Sequence, residues 1–246
     1  MQHLIHKYHS FHLAIVIPFF NEENRIAVDS FTHFIKENNF ILLVLVDDGS
    51  TDKTHEVLKE IQNQSPGPVE IIKLDKNIGK GNAIRAGMEM AIETKIPFTA
   101  YMDADLSAPF EEIIKLYSFT RAHQLDAVFG SRLKKLGSNI QRSLFRHLSG
   151  RLIATIIDTK FKIGCYDTQC SAKVFSTAIL PDIIETPFYT RWFFDVEIML
   201  RLKKKDNHFN IQEVPLDNWE HKPGSKITAL SFFNILKELV KLFNKY

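Results

Sequence analysis

FILLVLVDDGSTDKT, residues 40–54, carries an unbroken apolar run (40–46) into two aspartates, a glycine and a serine, then into a helical start at Thr51 or Asp52. A strand that is apolar at every position is buried on both faces. That is the condition of a parallel sheet whose crossover helices leave neither face to water. The pattern repeats on either side. LAIVIP (13–18) precedes an amphipathic stretch through Phe31, Phe34 and Ile35. VEIIKL (69–74) leads into a helix from Gly81 with paired apolar positions at 83/84, 87/88 and 91/92, and PFTAYM (97–102) closes the series. The order βαβαβαβ predicts an α/β fold with a mostly parallel central sheet flanked by helices.

Beyond residue 135 the alternation gives way to a helical region around 139–160, a loop through GCYDTQC, a helix near 190–204 and a short strand IQEVPL. No linker rich in Gly, Pro or Ser and no internal repeat interrupts the chain. The expected organisation is one domain over 1–228 followed by an amphipathic helix over 229–246. That helix groups Phe232, Phe233, Leu236, Leu239, Val240 and Phe243, with Lys237, Lys241 and Lys245 on a face of their own. The pattern suits a membrane interface and a core-docked last helix equally.

Thirty-one Lys and Arg against 29 Asp and Glu give a net charge of +2, so no overall footprint for nucleic acid exists and anion affinity must be local. Cys165 and Cys170 fit neither a zinc nor a disulfide framework and read as reduced thiols. The opening MQHLIHKYHSFHL lacks the unbroken apolar stretch of a signal peptide, and no run approaches the ~18 apolar residues of a spanning helix. A soluble or peripheral protein is expected.

In open parallel sheets ligands bind beyond the carboxyl ends of the strands. The polar residues there are Pro18, Asn21, Glu22 and Glu23 after the first strand, Asp47, Asp48, Gly49 and Ser50 after the second, and Asp103 and Asp105 after the fourth. So many carboxylates on one edge repel unless a cation or hydrogen-bond donors intervene. If the fourth strand persists through residue 105, Asp103 and Asp105 face the same way while Ala104 turns aside. Two hard oxygen ligands suit Mg²⁺ or Mn²⁺ completed by water and phosphate oxygens. In isolation, D-x-D describes a solvated turn just as well.

Three basic features could meet a diphosphate: Lys80 in GKGNA at a helix start, Arg132 in FGSRL past a strand, and Lys226 in PGSK. The G-x-x-x-x-G-K-[ST] order is missing, and no G-x-G-x-x-G follows the first strand, so neither a P-loop nor a dinucleotide site is present.

IVIPFFNEENRI, LVLVDDGSTDKT, NIGKGNAIRAGM and YMDADLSAP, in that order, resemble family 2 glycosyltransferases of the GT-A fold. FGSRL, QRSLFRHLSG, YDTQCSAKVF, RWFFDVEIMLRL and VPLDNWEHKPGSKI are similar to the dolichyl-phosphate β-glucosyltransferase and mannose synthase branch, the former more closely. The resemblance spans residues 12 to 228. It implies that Pro18, Phe20, Glu22 and Asp47 hold the base and ribose of a nucleotide sugar, with Phe20 standing where tyrosine is common. It implies Lys80, Asp103 and Ala104 at the donor, and a metal on Asp105 and Asp103, Asp105 the stronger ligand and Asp103 also a candidate for the ribose. Arg132 would meet the diphosphate, and Arg142 and Lys226 the acceptor phosphate. Where mannose synthases have an arginine shortly before that lysine, this chain reads Trp219 and Glu220, which favours UDP-glucose over GDP-mannose.

The mechanism implied is inverting displacement at the anomeric carbon. A lipid-phosphate acceptor needs no strong base; a hydroxyl acceptor does. Asp195 in FFDVE is then the first candidate and Asp167 in YDTQC the second, while either could instead cap a helix or pair with Arg191 or Lys173. The stretch SLFRHLSGRLIATIIDTKF sets apolar positions 144, 145, 148, 152, 153, 156 and 157 beside Arg142, Arg146 and Arg151. That pattern fits a basic helix at a lipid surface or plain core packing. The reading favoured is a metal-dependent hexosyltransferase acting on a polyprenyl phosphate, cytoplasmic and peripheral at a membrane's cytoplasmic face. Its rivals are transfer to a hydroxyl in surface-polysaccharide synthesis, a catalytically inactive scaffold of the same fold, and a phospho-accepting receiver module built on Asp47 and Asp48. The last leaves the second half of the chain unused.

Overall fold

A computed structural model describes residues 8, 10–205, 209–222 and 229–246. The elements are β1 (Leu13–Phe19), α1 (Val28–Glu37), β2 (Ile41–Asp47), α2 (Thr54–Gln64), β3 (Val69–Lys73), α3 (Lys80–Thr94), β4 (Phe98–Tyr101), α4 (Phe110–Ala122) and β5 (Ala127–Ser131). They continue through β6 (Asn139–Gln141), α5 (Leu144–Phe161), β7 (Lys173–Ser176), α6 (Leu180–Ile184), α7 (Phe194–Lys204), β8 (Ile211–Pro215), β9 (Asn218–Glu220) and α8 (Ala229–Lys245).

The main sheet runs β3-β2-β1-β4-β7-β5-β8. Its pairs are parallel except where β7 lies antiparallel between β4 and β5. A separate parallel ribbon joins β6 to β9. The apolar strands feed two layers. Leu13, Ile15, Ile17, Leu43 and Leu45 pack with Phe31, Leu58, Ile61, Ile113 and Leu116 on one side. Ala14, Val16, Leu42, Val44 and Val46 pack with Ala83, Ile84, Met88, Ile198 and Leu202 on the other. A smaller third cluster joins Ile157 of α5, Val196 and Leu200 of α7, and Leu239 and Leu242 of α8.

Three expectations are corrected here. The fourth strand ends at Tyr101, so Asp103 and Asp105 stand on a turn rather than on one face of a strand. The turn is held by the Leu106 N–H on the Asp103 carbonyl and by the Ser107 N–H on Asp105 Oδ1, with Leu106 at φ +52°. The region expected to be helical from 139 opens instead as β6, because the Asn139 N–H bonds the Asp217 carbonyl, and the helix starts at Leu144. The helix expected near 190 starts at Phe194, and KVFS (173–176) is a strand. Helix α8 docks on the core through Leu239 and Leu242, while Leu236 and Val240 stay exposed.

Candidate active site

Strand β1 has β2 on one side and β4 on the other, and the chain reverses direction across the sheet between them. At such a switch point the loops after β1 and β4 splay apart and leave a crevice. The loop after β1 is laced to the loop after β2. The Asn21 N–H reaches Ser50 Oγ (3.0 Å), the Thr51 N–H reaches Asn21 Oδ1 (2.8 Å), and the Glu22 N–H reaches Thr54 Oγ1 (2.8 Å). Asn21 adopts φ +52° to do so, a conformation asparagine tolerates better than most residues. Glu22 chelates Arg25 (2.8 and 3.1 Å), and Arg25 reaches across to Asp105 Oδ2 at 3.7 Å. Pro18 and Phe20 border this loop, both half-buried.

Asp47 is fully buried at the end of β2, with Oδ1 accepting the Ser50 N–H (2.9 Å). Its Oδ2 lies 3.4 Å from His55 Nδ1 without a hydrogen bond to it, so one buried acceptor and one ring nitrogen stay unsatisfied. Asp48 does a different job. Its two oxygens take the N–H groups of Ile78 (2.7 Å) and Gly79 (3.0 Å), fastening the approach to α3, while burial raises its pKa against those bonds. Gly49 has φ +67°, and a Cβ there would fall 2.3 Å from the Lys76 backbone. Only glycine fits this close approach.

Lys80, first residue of α3, reaches Asp103 Oδ1 in a short ion pair, and Ser171 donates to Asp103 Oδ2 at 2.7 Å. Burial raises the Asp103 pKa, but the Lys80 charge and these bonds outweigh it and hold the carboxyl below its ordinary range. Lys80 is moved the other way: burial favours loss of its proton, and the charges of Asp103, Asp195 and Asp105 overcome that. Both oxygens of Asp103 are therefore engaged. Asp105 keeps more freedom: one N–H on Oδ1, Arg25 at a distance from Oδ2, and a side chain 26% exposed. Ala104 between them is half-buried.

No group of three or more His, Cys, Asp or Glu converges among the described residues. A hard divalent cation asks less of the protein, since one or two carboxylates suffice when diphosphate oxygens and water complete the shell. Asp105 fits that requirement with the fewest rearrangements, and Asp103 can join it through lone pairs not used by Lys80 and Ser171.

The far wall is basic. Arg132, just past β5, binds Asp167 through Nε and Nη2, both at 2.7 Å, while its backbone N–H donates to the same carboxylate (3.0 Å). The Arg132 guanidinium lies over the Trp219 ring, 5.4 Å from its centroid. Burial pushes the Asp167 pKa up, and Arg132, with help from Arg142, pushes it well below the ordinary carboxylate range. A carboxylate so held is a weaker proton acceptor than an ordinary one. Arg142 is disfavoured in its charged form first by burial and then by Arg132, with Asp167 offsetting only part. Two guanidiniums thus act on the Asp167 carboxylate. Gly150 of α5 makes the space: a Cβ there would sit 2.4 Å from Arg142 Nη2.

Asp195, in the first turn of α7, is buried, and its Oδ1 accepts from Lys173 Nζ (2.7 Å) and from the Tyr101 hydroxyl. Of the two partners open to it, Lys173 is the one it takes. Lys226 lies outside the described residues. Sequence reasoning missed Arg25, Ser171 and Tyr101, named Lys173 as one possible partner of Asp195, and met Asp167 and Trp219 without Arg132. Arg25 alone left a local sign, three residues after Glu22 on one turn.

The profile of the family described as glycosyl transferase family 2 matches residues 14–183. The chain belongs to that family. The human dolichyl-phosphate beta-glucosyltransferase is 30% identical to this family 2 glycosyltransferase over 250 residues, covering 95% of this chain and 75% of its own. The Dictyostelium discoideum enzyme of that name is 27% identical, covering 96% and 75%. Among solved structures, Mycobacterium tuberculosis glucosyl-3-phosphoglycerate synthase with Mn²⁺ and uridine-diphosphate-glucose superposes with a TM-score of 0.68 at 15% identity. That match covers 97% of this chain and 80% of that one, and it shows the GT-A fold. The same mycobacterial enzyme has also been crystallised with Mg²⁺ and uridine diphosphate.

Proposed function

We propose that this glycosyltransferase moves glucose from UDP-glucose to a polyprenyl phosphate, with inversion at the anomeric carbon. The observation that carries the acceptor is a basic wall, with Arg132 bound to Asp167 and Arg142 packed against Gly150 of α5, on a helix with a line of exposed leucines. Two guanidiniums at the edge of the cleft suit an anionic substrate group. Along α5, Leu144 (80% exposed), Leu148 (65%), Leu152 (63%) and Ile156 (38%) recur every fourth residue and form one apolar ridge. An anion attached to a hydrocarbon chain meets both features, as does a peripheral position at a membrane surface.

The donor reading rests on the loops after β1, β2 and β4, with Pro18, Phe20, Glu22 and Asp47 toward the nucleoside and Lys80, Asp103 and Arg132 toward the diphosphate. Relatives with glucosyltransferase names support glucose as the sugar, and the fold neighbour bound to UDP-glucose supports uridine. Asp105 would hold Mg²⁺ or Mn²⁺, which would supply Lewis-acid stabilisation of the departing diphosphate. The protein adds fixed cations aimed at the same charge, the largest contribution such chemistry draws on. A phosphate acceptor arrives ionised. Asp195, bound by two donors, is then required to orient charge rather than to take a proton.

The test is incubation of the protein with radiolabelled UDP-glucose, Mg²⁺ and undecaprenyl or dolichyl phosphate. Label that moves into the organic phase and is released by mild acid supports the proposal. Transfer only to hydroxyl-bearing saccharides, or no lipid label with any common nucleotide sugar, sinks it.

A further inference from the structure

Lys173 opens β7 with its ammonium wholly buried, set 5.6 Å from the ring centroid of Tyr101 and 5.5 Å from that of Phe129. It donates to the Cys170 carbonyl and to Asp195 Oδ1, the oxygen that also accepts from Tyr101. The packing does not ask for a charge here. Buried ion pairs replaced by apolar side chains of similar volume often leave folding unharmed or improved, and ring walls would accept a methionine. What distinguishes the place is its position under the cleft. From α3, Lys80 pairs with Asp103, and its ammonium lies 5.8 Å from the ring centroid of Phe194, the residue before Asp195. Asp195 Oδ2 has no hydrogen bond among the described residues, and the side chain is 6% exposed.

We infer that Lys173 is a positioning residue for the transfer reaction: with the Tyr101 hydroxyl it pins Asp195 through Oδ1, leaving the other oxygen to face the cleft. Lys173 touches no substrate. It acts on Asp195, whose charge in turn helps hold the Lys80 ammonium. The inference rests on the cleft being the transfer site and is independent of which acceptor the site uses.

The experiment compares Lys173→Met, Lys173→Arg, Asp195→Asn and the Met/Asn double variant, using the donor and acceptor that the wild-type chain turns over, or donor hydrolysis where water is the acceptor. Rates are scaled to the folded fraction, read from thermal unfolding and UDP–Mn²⁺ binding stoichiometry. Lys173→Met is expected to lower kcat at least about tenfold while donor KM stays within about threefold, the signature of an interaction made in the transition state. Lys173→Arg should recover most of the rate. In the Asp195→Asn background, Lys173→Met should cost less than about twofold more, because residues acting through one another are not additive. Equal losses in both backgrounds would overturn the inference, and so would a loss that disappears after scaling. If Lys173→Met does not fold, the double variant, which removes both charges, decides by the same comparison with Asp195→Asn. A wild-type chain that labels another acceptor would overturn the lipid reading and leave this comparison standing.

Discussion

Asp167 shows what a residue's surroundings do to its chemistry. Burial alone would raise its pKa, but Arg132 and Arg142 hold it below the unfolded value of 3.8. A carboxyl with a depressed folded pKa contributes stability that is full above the unfolded value and is lost as pH falls through the folded one. Asp167→Asn should therefore lower unfolding free energy by about 3 kcal/mol near neutral pH, as expected when a buried cation loses its partner. The deficit should shrink below about pH 4, where the unfolded chain's carboxyl takes up a proton that the folded one, held by Arg132, does not. Urea unfolding of both proteins across that range checks it; a deficit that does not change with pH contradicts the assignment. The acids after β2 and β4 were legible because strand ends announce them. What they do was not. The partner of Asp167 is 35 residues away, that of Asp195 is 22 away, and that of Asp103 is 23 away. No local spacing records those distances.

At the scale of elements, α5 was legible as an amphipathic helix, but not which apolar positions face inward. Ile157 and Ala154 are buried, while the ridge from Leu144 to Ile156 is open. Packing against α7 and α8 decides this, and both come later in the chain. Because the ridge is exposed, changing Leu148 and Leu152 together to Asp should leave unfolding nearly unchanged, within the ±0.5 kcal/mol usual for surface sites. The same change should abolish co-sedimentation with vesicles containing anionic lipid. Retained vesicle binding, or a large loss of stability, would show that the ridge is not the membrane-facing surface. Strand β7 escaped the sequence reading because its first residue is a lysine, and a lysine in the middle of a sheet is paired rather than exposed only when tertiary structure supplies Asp195.

For the molecule as a whole, the two layers over a doubly covered sheet were readable from unbroken apolar runs, whereas the strand order was not. Ligand binding to this fold should appear as global stabilisation. UDP with Mn²⁺ at about a hundred times its dissociation constant should add roughly 2.7 kcal/mol, and Asp105→Ala should remove the metal-dependent part of that gain. Thermal shifts across UDP and GDP, with and without Mn²⁺, measure it; an Asp105→Ala protein with wild-type shifts would refute the metal assignment. The placing of β7 between β4 and β5 also bears on how the protein is made. Thr99 pairs with Phe175 and Ala127 with the same residue, so the middle of the sheet closes only around a segment translated well after both neighbours. Until that segment emerges from the ribosome, β4 and β5 present unpaired edges. Such a nascent chain folds late and is exposed to aggregation during synthesis, which makes translation rate through residues 130–176 a determinant of yield.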